Sequence, residues 1–249
     1  MSIKTALIIP DCHIPYHDKR AYQLMLDVAS DLSPDEIVIL GDYADFYAIN
    51  SHGKDPQGQH LLQDEVAEVV KELKVLNRKF PDAKKVFICG NHEHRLARYV
   101  TNRCPDLYGV LDVASILELS ALGYEYIPYE PNQKYSVLGS SLFARHEPLA
   151  GGKHVAQNTA EKAMASVIFG HTHRIQEAQT VTMDGQNYRG ISSGWLGDKS
   201  NPVFGYVKSH HQWSLGFSVM RLLEDGTWFN QLIHIQDYKC VVDGYLYEG

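Results

Sequence analysis

Five short apolar runs in this chain end abruptly in glycine, aspartate, asparagine or histidine, and that recurrence restricts the fold more than any other feature. The runs are "TALIIP" before Asp11, Cys12 and His13; "EIVIL" before Gly41 and Asp42; "KVFIC" before Gly90, Asn91 and His92; "SLFARH", which closes on His146; and "SVIFG" before His171, Thr172 and His173. Each is brief and continuous, the pattern of a strand buried on both faces. "DKRAYQLMLDVAS" lies between the first two and "LLQDEVAEVVKELKVLNRKF" before the third, both with the apolar spacing of a helix. This is a βαβαβ opening with parallel strands and right-handed connections. In open α/β sheets the ligand crevice lies beyond the carboxyl ends of the strands. The polar residues of five scattered segments are therefore expected at one edge.

The remaining pattern is consistent with a single unit. From Leu96 to Leu122 it is helical but broken at Pro105 and Gly109, which predicts two short helices over the sheet. "YEYIPY", "YSVLG" and "SLFARH" are read as strands with a tight turn near Gly139, and "KHVAQNTAEKAMA" as a helix. "EAQTVTMDGQNYRGISSG" and "GFSVMRLLEDGTWFNQLIHI" are predicted hairpins turning at Asp184-Gly185 and Asp225-Gly226. No internal repeat or linker intervenes, and 249 residues suffice for one large core. Residues 1–249 are expected to form one domain, with two layers of helices around mixed sheets.

Composition narrows the class. Apolar content of 44% and charged content of 21% are ordinary for a soluble protein. A net charge of −7 with scattered Lys and Arg argues against a protein that coats duplex DNA, which would carry a basic stripe. No stretch approaches a transmembrane length, and "MSIKTALIIPDCH" is not a signal peptide, since its apolar run is short and breaks at Asp11. The four cysteines (Cys12, Cys89, Cys104, Cys240) have no paired spacing, which fits reduced thiols in a cytoplasm.

The residues at the strand ends are of one chemical kind. Oxygen and imidazole donors suit manganese, zinc, iron and similar divalent ions. Asp-x-His and His-x-His put two side chains on the same side of an extended backbone. Taken alone, "GNHE" also reads as a strand-to-helix turn, with Asn91 as N-cap and Glu93 in the first helical turn. Taken together, Asp11, His13, Asp42, Asn91, His146, His171 and His173 are seven candidate ligands. That exceeds the need of one ion and implies two, bridged by a carboxylate.

With these motifs the chain resembles the calcineurin-like metallophosphoesterase superfamily. The matching pattern is "DCH", "GD", "GNHE", the His of "ARHE" and "GHTH", spread over about two thirds of the chain. The resemblance implies a four-layer α/β/β/α sandwich with two mixed β-sheets flanked by helices. It implies that Asp11, His13, Asp42 and His173 hold one metal, and that Asp42, Asn91, His146 and His171 hold the other, with Asp42 bridging. His92 corresponds to the catalytic histidine, close enough to the phosphate to protonate the leaving oxygen or stabilise charge. Where the family often has Gly after the penultimate ligand, Glu147 stands here, and His154 is the alternative to His146. The implied cofactors are two divalent ions, manganese first, with iron, zinc or nickel as alternatives. Two such ions lower the pKa of a bridging water and bind phosphate oxygens, which suits phosphoester hydrolysis independently of the resemblance.

Substrate is less constrained. "GDYADFY" keeps Asp45 but lacks the Arg-Gly of bacterial protein phosphatases, and Ile14 replaces the Gly of their first motif. The length leaves little room for the capping domain of double-strand-break repair nucleases. The closest resemblance is to small uncapped bacterial and bacteriophage phosphoesterases. The expected activity is a phosphodiesterase on nucleotide or nucleic-acid substrates. The alternatives are a phosphomonoesterase (nucleotide or protein phosphatase) and a non-catalytic metal-binding scaffold. Asn91 and Arg95 are candidate substrate contacts, and Arg98 follows on the same helix, where an arginine could hold a second phosphate. Tyr43, Phe46, Tyr47 and His52 are expected either to line the crevice or simply to cover apolar surface. The aromatic, histidine-rich segment 195–216 is expected to form a lid or substrate loop, with His210 and His211 as loop residues or contacts in a homo-oligomer.

Overall fold

In β1 (Lys4–Ile9), Leu7 and Ile9 face one side of the sheet and Ala6 and Ile8 the other, and all four are buried. β2 (Glu36–Ile39) and β3 (Lys84–Ile88) repeat this two-sided burial, the reason these runs are continuous rather than alternating. The computed structural model, which describes residues 3–51, 61–205 and 212–249, joins them to β4 (Tyr124–Ile127), β10 (Gly216–Leu222) and β11 (Trp228–His234). The sheet order is β11-β10-β1-β2-β3-β4; β1 to β4 run parallel, while β10 and β11 are antiparallel additions.

Helices α1 (Lys19–Leu32), α2 (Leu62–Lys79) and α3 (His94–Arg103) cover the outer face of this sheet. Ala21, Leu24, Met25 and Val28 form the buried stripe of α1. Asp18 starts that helix by accepting from the backbone N–H groups of Arg20 and Ala21. On the inner face, Val38, Leu40, Val86 and Ile88 pack against Leu142, Ala144, Ile168 and Ile191.

Those partners belong to a second sheet of order β5-β6-β7-β9-β8, made of β5 (Tyr135–Ser136), β6 (Leu142–Arg145), β7 (Ser166–Phe169), β8 (Ile175–Val181) and β9 (Asn187–Ser193). α5 (Val155–Ala163) closes its outer face through Val155 and Ala156 against Val167 and Phe169. The result is an α/β/β/α sandwich with two mixed sheets, as expected.

Three local features depart from expectation. "YSVLG" forms only the two-residue β5 before a 3-10 turn over Val137–Gly139, where Leu138 has a φ of 51° that no strand tolerates. Of the two helices between 96 and 122, the second is the single turn α4 (Val113–Ile116). A further hairpin, β12 (Lys239–Val242) with β13 (Tyr245–Glu248), follows the two predicted ones. Among the described residues no helix is long and apolar enough to cross a membrane.

Candidate metal centre

Strand register sets the positions of the site residues. Ile9 pairs with Ile39 and Ile39 with Phe87, so the residues after β1, β2 and β3 leave the sheet along one row; Phe169 of β7 pairs with Arg145 of β6. At these exits the backbone turns sharply. His13, Asp42, His171 and His173 all have φ between 47° and 63°, conformations that cost side-chain-bearing residues about 1 kcal/mol or more each. Two of the motif glycines are required by close approach. A Cβ at Gly90 would lie 2.2 Å from Asp42 Oδ1, and one at Gly170 would lie 2.3 Å from Asp11 Oδ2.

The seven residues expected as ligands come together as two groups. One ligand atom each from Asp11, His13, Asp42 and His173 lie within 4.8 Å of one another, and Asp42 recurs in a second such group with His146 and His171. Asn91 completes the second group: its Oδ1 is 2.9 Å from His146 Nε2 and 2.8 Å from His171 Nδ1. Asp11, His13, Asp42, His146 and His173 are buried, whereas His171 is exposed at the mouth. His154 is exposed at the start of α5, outside both groups.

The donor set fits a cation. His146 Nδ1 lies 2.8 Å from the Leu40 carbonyl oxygen, which can only accept, so this nitrogen carries the hydrogen. The lone pair on Nε2 then faces Asn91 Oδ1 and, at 3.3 Å, Asp42 Oδ1. Acceptors converge there with only a cation able to sit between them. Burial works against charge on His146, yet Asp42, Asp11 and Glu93 push its pKa up to about 10, so a proton meets that demand when nothing larger does. Burial likewise opposes ionisation of Asp42, but His146 and His92 hold its carboxyl well below the usual range. His173 Nδ1 is buried and has no hydrogen-bond partner among the described residues. Cys12 turns away and donates to the Pro10 carbonyl, leaving a set of oxygen and nitrogen donors alone.

A third group adjoins these two, and its central member had no role in the sequence reading. Asp45 Oδ2 is 2.8 Å from His13 Nδ1 and 3.2 Å from His92 Nδ1, so one buried carboxylate orients both rings. His92 and His13 outweigh the effect of burial and keep the Asp45 carboxyl far below its ordinary range. Burial lowers the His92 pKa, but Asp42 and Asp45 raise it further, for a net upward shift. Arg95 Nη1 binds the Asp45 carboxylate at 3.1 Å and its carbonyl at 2.9 Å, while Nη2 is 3.0 Å from His92 Nε2. The signal for Asp45 was its place three residues after Asp42.

The sequence reading placed Glu93 in the first turn of a helix, and it stands where α3 begins. It is fully buried and makes no cap bond; its carboxylate accepts from the backbone N–H groups of Asp42, Ala44 and Gly90. It thus ties the loop after β2 to the loop after β3. Tyr43, Phe46 and Tyr47 cover apolar surface rather than line the crevice: all three are buried, and Tyr43 Oη bonds Tyr22 Oη at 2.6 Å. The aromatic wall instead comes from the 195–216 segment. Trp195 stacks on His173 at a centroid distance of 4.8 Å and Phe204 meets the His13 ring at 5.4 Å. His52, His210 and His211 lie outside the described residues.

Residues 4–175 match the family described as calcineurin-like phosphoesterase. The Gene 54 protein of Mycobacterium phage L5 is 25% identical over 262 aligned residues, covering 98% of this chain and 99% of that protein. Among solved structures, Vacuolar Protein Sorting 29 from Cryptosporidium parvum aligns with a TM-score of 0.46 at 10% identity, over 98% of this chain and 94% of that one. YfcE, a phosphoesterase from E. coli, aligns with a TM-score of 0.41 at 14% identity, over 92% and 98% respectively.

Proposed function

The chain belongs to the calcineurin-like phosphoesterase family, and on that premise we propose that this metal-dependent phosphoesterase is a dinuclear phosphodiesterase acting on nucleotide or nucleic-acid substrates. The observation that carries the reading is the position of Asp42, common to two ligand groups whose other members come from both sheets. Asp11, His13 and His173 would hold one ion, and Asn91, His146 and His171 the other. Manganese is the first candidate, with iron, zinc or nickel as the other ions suited to these donors. Ions held there would supply a water of lowered pKa as nucleophile and would offset charge on the phosphate oxygens.

The remaining work falls to the chain's own side chains. Asp45 accepts from His92 Nδ1, which fixes the ring and turns Nε2 toward the site, 3.8 Å from Asp42 Oδ2. Nε2 is the atom that delivers a proton to the departing ester oxygen. In the free protein Arg95 Nη2 occupies that nitrogen, a contact that needs Nε2 bare. An arriving phosphoryl group draws the guanidinium to its oxygens, for which Arg95 is the better partner, and Nε2, freed from that contact, takes up a proton from solvent and passes it to the leaving oxygen. Trp195 and Phe204 keep water from the back of the His13 and His173 rings.

The test is a paired rate measurement with Mn²⁺ on bis-p-nitrophenyl phosphate and p-nitrophenyl phosphate. Faster cleavage of the diester is expected. Faster cleavage of the monoester would replace this reading with a phosphomonoesterase.

A further inference from the structure

α3 leaves the site directly after His92, and its two faces differ sharply. Leu96 and Val100 are buried in the core. Arg95, Arg98 and Asn102 follow the spacing i, i+3 and i+7 on a side turned from that core, and Arg103 stands at the helix end. With Asn50 and Ser51 of the loop after β2, they line a cavity of about 400 Å³. In a chain of net charge −7 this concentration of arginine stands apart. Among the described residues neither Arg98 nor Arg103 has a carboxylate within 4.0 Å, whereas Arg95 is paired with Asp45. Three cations around one cavity repel one another, and among the described residues no carboxylate lies within ion-pair distance of the two outer ones.

The cavity is also placed against a specific atom. Arg95 forms its inner end and touches His92 Nε2 at 3.0 Å. If His92 protonates the leaving oxygen, the cavity lies on the leaving-group side of the scissile bond. From Arg95 to Arg103 the helix rises about 12 Å, long enough for its arginines to meet more than one phosphate of a strand laid along it. Tyr99, 42% exposed, lines the same cavity and presents a ring on which a base can stack.

We propose that this cavity is a strand-tracking subsite, in which Arg98 and Arg103 hold phosphates of a single-stranded nucleic acid beyond the leaving oxygen. The proposal rests on the phosphodiesterase reading and narrows its substrate to chains longer than one phosphodiester. The cavity is a groove along one helix, suited to one backbone rather than to a duplex.

The experiment compares the wild type with the Arg98→Ala/Arg103→Ala double variant, both loaded with Mn²⁺. The probes are a single-stranded hexanucleotide and a dinucleoside monophosphate, with kcat/KM measured across a range of NaCl. In parallel, anisotropy of a fluorescein-labelled hexanucleotide reports binding alone. The ratio of kcat/KM on the hexanucleotide to that on the dinucleotide is expected to fall by about 100-fold, near tenfold for each charge-assisted contact. The slope of log Kd against log salt should become shallower by about 1.4, from about 0.7 for each lost phosphate contact on a single strand. The Arg98→Lys/Arg103→Lys variant should recover most of that slope, which a merely structural role would not produce. An equal fall on both substrates, or an unchanged salt slope, would overturn the subsite. So would a duplex of the same sequence bound as tightly as the strand. Should the wild type cleave neither probe, the phosphodiesterase reading fails, and anisotropy alone decides the subsite: hexanucleotide binding that the double variant loses supports it, and no binding by the wild type overturns it.

Discussion

Asp42 accepts the backbone N–H of His92 at 2.8 Å while its carboxylate faces both ligand groups. Asp42→Asn keeps the shape and removes the charge from both groups at once. Bound manganese, measured by elemental analysis, should fall from about two ions per chain to less than one; two ions retained would rule out the shared bridge. His92→Asn separates chemistry from binding. Metal content should be unchanged, while turnover of a dinucleotide falls by about 10²–10⁴-fold. The loss should be much smaller on p-nitrophenyl diesters, whose leaving group departs without a proton. Equal losses on both substrates would remove the proton-donor role. The candidate ligands could be picked out in the sequence because residue type and a strand end are local signals. The partners of Asp45 and Glu93 were not. Asp45 meets His13 across 32 positions and Glu93 binds Asp42 N across 51, and no local pattern specifies such contacts.

Elements were predicted best where burial is two-sided or strongly periodic. α2 is observed at Leu62–Lys79 inside the predicted 61–80, because Val69, Val70, Leu73 and Leu76 mark one face. Leu73 is fully buried against the sheet, far from the ligand groups in the sequence. Leu73→Ala should cost about 2–5 kcal/mol and lower Tm by about 5–15 °C. Activity per folded molecule at 25 °C should stay near that of the wild type; a large loss of specific activity would show that the helix layer controls the site. The C-terminal hairpin carried a readable sign, Asp243-Gly244 with φ of 51° and 84°, the same dipeptide as in the two predicted turns. Its strands expose Val241, Tyr245 and Leu246, and such weak alternation hides a strand from pattern reading. "YSVLG" misled for the opposite reason. Tyr135 and Val137 are buried as expected, but Val137 packs between the sheets from a 3-10 turn rather than a strand.

At the scale of the molecule, the two sheets meet at an edge where carboxylates and imidazoles are buried together. Such an arrangement is best satisfied with cations in place, and an unfolded chain offers no equivalent set. A ligand present at a hundredfold excess over its Kd stabilises the folded state by about 2.7 kcal/mol, which corresponds to a Tm shift of about 5–10 °C. Chelation with EDTA should lower Tm by that order, and Mn²⁺ should restore it. An unchanged Tm would contradict a preformed centre. Local sequence was enough to establish the α/β class and to mark the strand ends that carry oxygen and nitrogen donors, since strand burial, helix periodicity and donor type are written within a few residues of each other. Tertiary packing alone decided that Asp45 orients His13 and His92, that Glu93 ties two loops, and that three arginines line one cavity. Those facts depend on distances between segments far apart in the chain, and only the register of two packed sheets sets such distances.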